Sequence, residues 1–226
     1  MTRRIRDLTL AALDDLPATC RSCVFWEVGT GSRGPRPDPR AGGESKEAWW
    51  QATQLEWGTP GKAIYVDDVP AGYATFAPGE HFPRMRRMGR AVSDDAFLLA
   101  TLWVAPDHRG QGLATALLQS VLRETHRRGG RALEAYGAPT VAPGATCVVP
   151  ESFLKSRGFQ VLHDDGDLPL LRLDLRQTVR WQESVGHALE GVLSVLSRRE
   201  RQPAPARARP ALETRYARDD GARPSP

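Results

Sequence analysis

The stretch LATLWVAPDHRGQGLATALLQSVLRETHRR, Leu99 to Arg128, reads as a strand, a glycine-punctuated turn and a helix. Phe97 to Val104 is an apolar run rich in strand formers, and Pro106-Asp107-His108 breaks it. Arg109-Gly110-Gln111-Gly112 supplies a turn with nothing bulky along its backbone. Leu113, Leu117 and Val121, flanked by Ala114, Leu118 and Leu122, form a helical stripe. Arg127-Arg128 and Gly129-Gly130 close it with a basic last turn and a glycine stop.

The first turn of a helix exposes unpaired N–H groups at the positive end of the macrodipole, so it attracts anions. Glycines at 110 and 112 let a phosphate approach the main chain. The pattern predicts a phosphate or pyrophosphate site fed by a strand. An ordinary tight strand–turn–helix connection satisfies the same spacing.

Arg109-Gly110-Gln111-Gly112-Leu113-Ala114 fits R/Q-x-x-G-x-G/A and resembles the acyl-CoA pyrophosphate loop of the GNAT superfamily of N-acetyltransferases. Downstream, Phe153-Leu154-Lys155-Ser156-Arg157-Gly158-Phe159 is similar to that family's short helix ending in Gly-Phe. The resemblance implies an α/β (α+β) fold with a mixed, mostly antiparallel sheet, splayed central strands and flanking helices. It implies acetyl-CoA as cosubstrate and no metal. Backbone contacts to the pantetheine arm fall on Leu102, Trp103 and Val104, and pyrophosphate contacts on Arg109, Gly110, Gln111, Gly112, Leu113 and Ala114.

Along the chain, Ile5–Leu10 reads as a first strand, followed by a short helix or turn to Leu16. Residues 29–43 read as a loop, and Glu44–Trp57 as a helix bounded by Gly58 and Pro60. Lys62–Val66 and Gly72–Ala77 flank Asp67-Asp68 as a hairpin. Pro78–Asp95, with Arg84, Arg86, Arg87 and Arg90, reads as a functional loop or a disordered one. Arg131–Tyr136 is a strand, and Gln160–Asp164 with Leu170–Leu175 a last hairpin.

The domain spans residues 1–176, followed by an amphipathic helix at 177–199 carrying Val185, Leu189, Val192 and Leu196. That face docks on the core or makes a homodimer contact. Residues 200–226 are rich in Arg, Pro and Ala and read as a disordered tail. The 226-residue chain carries a net charge of +4, and from Arg198 onward eight Arg face four acids, so the tail accounts for all of it. The charge therefore does not mark the core as a nucleic-acid binder. No apolar run reaches membrane length or resembles an export signal, and Cys20, Cys23 and Cys147 make an odd count. A cytoplasmic protein with no membrane partner is expected.

Acetyl transfer from a thioester to an amine needs a neutral amine, stabilisation of the carbonyl oxygen and a proton for the leaving thiolate. The family often places a glutamate base on the strand matching Phe97–Val104, which here holds no acid. It often places a tyrosine acid four residues before the Gly of Gly-Phe, which here is Leu154. Glu134, in the next strand, is the substitute base, or a strand carboxylate paired with an arginine. Tyr136 shares its face and could supply the proton, as could Cys147. A covalent acyl-cysteine route through Cys147 is the lesser alternative.

Cys20-x-x-Cys23 reads as packing thiols, with zinc and redox chemistry as alternatives. For zinc, only Cys147 and a histidine such as His163 remain as further ligands. Trp49, Trp50, Trp57 and Arg84 lie in regions that shape the acceptor pocket in the family, and core packing explains each of them equally. The expected function is acetylation of a small-molecule or peptide primary amine by direct attack in a ternary complex. A non-catalytic acyl-CoA-sensing module is the alternative, and an interaction protein acting through residues 178–226 a third reading.

Overall fold

The structure is a computed structural model that describes residues 1–28, 39–87, 91–140, 147–164 and 166–175, all within one compact unit, Met1–Gln182. The helix expected at 177–199, with its dimer face, and the tail at 200–226 lie outside the described residues.

Among the described residues eight strands form one sheet: β1 (Arg3–Asp7), β2 (Gly61–Val66), β3 (Val69–Pro78), β4 (Ala96–Val104), β5 (Ala132–Ala138), β6 (Val149–Pro150), β7 (Gln160–His163) and β8 (Leu170–Asp174). Their order is β1-β2-β3-β4-β5-β8-β7, with β6 paired to β5 off this path. Only β4–β5 and β5–β6 are parallel. The expected mixed, mostly antiparallel sheet is therefore present. The first strand sits nearer the N-terminus than its sequence suggests, and Leu8 just beyond it is fully buried with its N–H donating to Gly61 O (2.9 Å).

The β2–β3 turn shows how the sequence sets the register. Val66 pairs with Val69 across Asp67 and Asp68, whose φ angles are 48° and 65°. Two left-handed residues make the mirror-image turn that matches strand twist, and aspartate tolerates that conformation.

The helices are α1 (Ala18–Arg21), α2 (Pro39–Glu56), α3 (Pro83–Arg87), α4 (Leu113–Arg127) and α5 (Glu151–Ser156). α2 begins five residues earlier than the sequence suggests, within Pro-Arg-Ala-Gly-Gly. Proline is tolerated in a first turn, where its missing N–H has no helical partner. A Cβ on Gly42 would lie 2.3 Å from Ser22 O, so glycine here permits close backbone approach rather than marking a loop.

The segment expected as a long loop at 78–95 is largely built into the fold. It holds a 3-10 turn at Gly79–His81, then α3, and it buries Phe82, Met85 and Val92. Three apolar side chains taken from water offset the entropy of ordering such a segment, at about 1.5–3 kcal/mol each.

Two layers cover the sheet. On one face Leu118, Val121 and Leu122 of α4 and Leu154 of α5 pack with Phe76, Leu99, Leu133, Ala135, Leu171 and Leu173. On the other, Trp26, Trp49, Trp50, Phe82 and Met85 pack with Tyr73, Leu98, Ala100, Tyr136 and Leu170. The central strands supply both layers by alternation, as in β5, where Leu133 and Ala135 face one layer and Ala132 and Tyr136 the other. Near the end of α4, burial raises the Glu124 carboxyl, but hydrogen bonds from Arg127 and Arg128 and the Lys62 charge outweigh it and bring it to about 2. Among the described residues no helix is long and apolar enough to cross a membrane.

Candidate active site

The strands β4 and β5 pair only through Ala96–Ala132, Phe97–Leu133 and Leu98–Glu134. Beyond Leu98, β4 continues against β3 while β5 takes β6 as its parallel neighbour at Gly137–Val149 and Ala138–Pro150. The sheet thus opens between its two central strands. A bulge prepares the divergence: Thr101 opposes Thr75 and Leu99 opposes Phe76, which leaves Ala100 as the extra residue of β4. A bulge bends its strand and raises the local twist.

Leu102, Trp103 and Val104 lie past the bulge, opposite Ala74, Tyr73 and Gly72 of β3. A Cβ on Gly72 would sit 2.6 Å from Trp103 O, so a glycine there lets β3 close on that carbonyl. These residues form the β4 side of the opening.

The chain then turns through Pro106–His108 into the glycine loop. Arg109 Nε–H donates to Val104 O (3.2 Å) and Gln111 Nε2–H donates to Asp107 O (3.3 Å), so both side chains brace the loop from behind. Gly110 and Gly112 have φ of 74° and 79°, and a Cβ on either would meet nothing within 4 Å. Left-handed conformation, not crowding, is what calls for glycine here. Gly112 caps α4 without a side-chain hydrogen bond, and its carbonyl accepts from Ala116 N–H (3.1 Å). The N–H groups of Leu113, Ala114 and Thr115 precede that first helical bond and point out of the helix end. An exposed, glycine-lined turn at the positive end of a 15-residue helix fits a pyrophosphate.

Glu134 sits at the last β4–β5 pair and is fully buried. Arg172 Nη1 donates to Glu134 Oε1 (3.0 Å) and Ser93 N–H donates to Oε2 (3.0 Å). Arg172 also grips both Asp95 oxygens (2.9 and 3.0 Å) and Asp174 (2.8 Å). One guanidinium thus ties the approach to β4, the centre of β5 and the end of β8, at the closed end of the opening. Its hydrogen bonds hold the Asp95 carboxyl below the usual range, against the effect of burial. Both Glu134 oxygens are engaged, so the arginine-paired alternative read from the sequence describes its geometry.

Tyr136, on the same face as Glu134, is 2% exposed and stacks on Trp26 with ring centroids 5.5 Å apart. Trp26 Nε1–H donates to Cys147 O (2.6 Å), and the Cys147 side chain hydrogen-bonds Cys23. Tyr136 and Cys147 are therefore brought together through Trp26, while Glu134 belongs to the Arg172 clamp. Leu154, at the family's tyrosine position, is fully buried under the α4 face. Cys20 hydrogen-bonds Tyr73, whose phenol is pushed well up by burial and by that contact. Among the described residues no three His, Cys, Asp or Glu side chains are placed to hold a metal ion.

The aromatic residues expected to wall a pocket are held by packing. Trp50 is fully buried. Trp49 donates from Nε1 to His81 O (2.5 Å) and packs on Phe82. Trp57 lies under the Arg128 guanidinium, 4.0 Å from its ring centre, at the far end of α4 from the glycine loop. Fifteen helical residues put about 22 Å between those ends. Arg84, on α3, stacks 3.7 Å over Phe25 beside Cys23 and Cys147, and its Nε is buried without a partner. Trp49 and Trp50 share the core layer of Tyr136, and Arg84 reaches that layer through Phe25, which packs edge-on against Trp26.

Sequence reading did not find Arg172, Ser93, Trp26 or Cys23 as parts of this region, nor the buried Glu27–Lys46 pair beside it (2.6 Å). Their partners come from distant stretches of chain. The one local signal is that Cys20-Arg21-Ser22-Cys23-Val24-Phe25-Trp26 is a compact, aromatic run.

A sheet opened between two parallel strands, with a glycine turn and helix end where the first of them stops, is the architecture of an acetyltransferase. The model of the Acetyltransferase (GNAT) family matches residues 25–143, more than half of the chain, and the chain belongs to that family. Solved structures agree in fold. The PaiA N-acetyltransferase of Thermoplasma acidophilum, in complex with coenzyme A, is 15% identical with a TM-score of 0.53. It covers 77% of this chain and 99% of its own. The YncA protein of Salmonella typhimurium, solved with its cofactor acetyl-CoA, is 22% identical with a TM-score of 0.53. It covers 77% of this chain and 95% of its own. An N-acetyltransferase of Staphylococcus aureus Mu50 is 19% identical with a TM-score of 0.51, covering 77% and 99%. No curated protein matches the chain in sequence.

Proposed function

We propose that this protein transfers an acetyl group from acetyl-CoA to a primary amine by direct attack in a ternary complex. The observation that carries the reading is the opening of β4 from β5 directly before the glycine loop. The loop amides and the α4 dipole hold the pyrophosphate, and the β4 backbone around Leu102–Val104 accompanies the pantetheine arm. The neutral amine attacks the thioester carbonyl carbon, the C–S bond breaks, and the coenzyme A thiolate leaves and takes up a proton. No metal takes part in this reading.

In this reading Tyr136 or Cys147 supplies the proton that the leaving thiolate takes up. The Cys23 hydrogen bond and burial raise the Cys147 thiol, which therefore keeps its proton. A thiol that keeps its proton is a poor nucleophile, which disfavours the acyl-cysteine route. Glu134, clamped by Arg172, serves the site by fixing where the strands part and by the buried negative charge it holds there. Arg84, with its unpartnered Nε, favours an acceptor that carries an acidic group beside its amine. Three free thiols suit a reducing compartment, and we place the activity in the cytoplasm.

A second reading, an acyl-CoA-sensing module without turnover, is favoured by Leu154 at the usual acid position and by the fully engaged Glu134 carboxylate. Purified protein mixed with acetyl-CoA and a panel of small amines and peptides separates the two. Amine-dependent release of free thiol is expected. Saturable acetyl-CoA binding with no thiol release across the panel would establish the sensing module instead.

A further inference from the structure

Cys23 and Cys147 come from opposite halves of the chain, one just after α1 and one just before β6, and their side chains hydrogen-bond each other. Both are half-buried. Trp26 staples the two segments together through its bond to the Cys147 carbonyl. Cys20, by contrast, is fully buried and engaged with Tyr73. We propose that Cys23 and Cys147 are a thiol-oxidation site that forms a reversible disulfide when the protein meets a peroxide.

Either sulfur can be oxidised first, and the hydrogen bond between them favours Cys23 as the thiolate. The Cys147 hydrogen bond holds the Cys23 thiol below its ordinary range; burial opposes this, and the Phe25 backbone assists. The charged and titratable groups around the pair are Glu27, Lys46, Arg84, Cys20 and Tyr73. Glu27 works against the Cys23 thiolate and Lys46 supports it, and Arg84 lies beside both sulfurs. Cys147 is pushed up and keeps its proton.

The Cys23 thiolate attacks one peroxide oxygen, the O–O bond breaks, and hydroxide leaves to become water. Cys23 is then a sulfenic acid. The Cys147 sulfur attacks Cys23, loses its proton and expels a second water. Two thiols lose two electrons and two protons, and the peroxide is reduced to two waters. The sulfurs close from hydrogen-bond separation to about 2.05 Å. The bond ties the segment after α1 to β6, which borders the opening between β4 and β5.

The test titrates the full chain with hydrogen peroxide and maps peptides by mass spectrometry without reductant. A Cys23–Cys147 cross-link lacking two hydrogens is expected, reversed by dithiothreitol, with Cys20 still free for alkylation after unfolding. In Cys147→Ser, Cys23 should stop at the sulfenic acid and react with dimedone. Alkylation of Cys23 should persist at a lower pH than that of free cysteine. A Cys20–Cys23 cross-link, irreversible oxidation of Cys23 without a cross-link, or no reaction of the wild-type pair overturns the proposal. The readout is sulfur chemistry alone, so it stands or falls independently of acetyl transfer.

Discussion

Gly112→Val is expected to weaken acetyl-CoA binding by at least about tenfold, equivalent to about 1.4 kcal/mol. Gly112 holds a φ of 79° at the cap of α4, and a side chain there costs roughly 1–2 kcal/mol, more for a β-branched residue. A Cβ at this position meets nothing of the protein within 4 Å, so the substitution acts through backbone conformation and ligand approach, not through the core. Gly129→Ala is the control. Gly129 has a φ of 84° and equally open surroundings, but it lies past the other end of α4. It should lose comparable stability with unchanged affinity. Calorimetric titration of acetyl-CoA into the three proteins reads both. Equal affinity in all three would remove the glycine loop from the account.

Lys46→Met is expected to destabilise the fold by about 3–5 kcal/mol, the cost of leaving a buried carboxylate without its partner. The Lys46 and Glu27 side chains are 4% and 2% exposed, and they join α2 to the segment after α1 at 2.6 Å. The other Glu27 oxygen accepts from Trp26 N–H (3.1 Å), so the loss is transmitted to the residue that stacks on Tyr136. Urea denaturation measures the loss. The double variant Glu27→Gln/Lys46→Met should recover most of it, since an apolar or neutral pair of similar volume is often tolerated. A single variant as stable as wild type would mean that water reaches the pair.

The elements written locally in the chain were legible in it. The α4 stripe, its glycine entry and the two-residue turn at Asp67-Asp68 each depend on neighbours within a few positions. The family motif added what periodicity lacks, the opening of the sheet beside the loop. What stayed hidden depends on contacts between distant residues. Gly42 looks like a loop former until Ser22 O is found against it. Phe82, Met85 and Val92 are too irregularly spaced to announce that residues 78–95 fill a core. Glu134 reads as a candidate base in its own strand, and Arg172 and Ser93 turn it into a clamp. Trp57 looks available for a ligand until Arg128 is laid over it. Burial and pairing of polar groups belong to tertiary structure, and no sequence window contains both partners.

The central claim is that acetyl-CoA lies with its pyrophosphate on the 109–114 loop and its pantetheine arm in the gap between β4 and β5. A crystal structure with acetyl-CoA bound tests it most directly. The account predicts pyrophosphate oxygens within hydrogen-bond reach of the main-chain amides of Gly110–Ala114, and the thioester beyond the Leu98–Glu134 pair on the side of Tyr136. A cofactor bound elsewhere on the sheet, or one whose phosphates contact side chains alone while the loop amides face solvent, would contradict it.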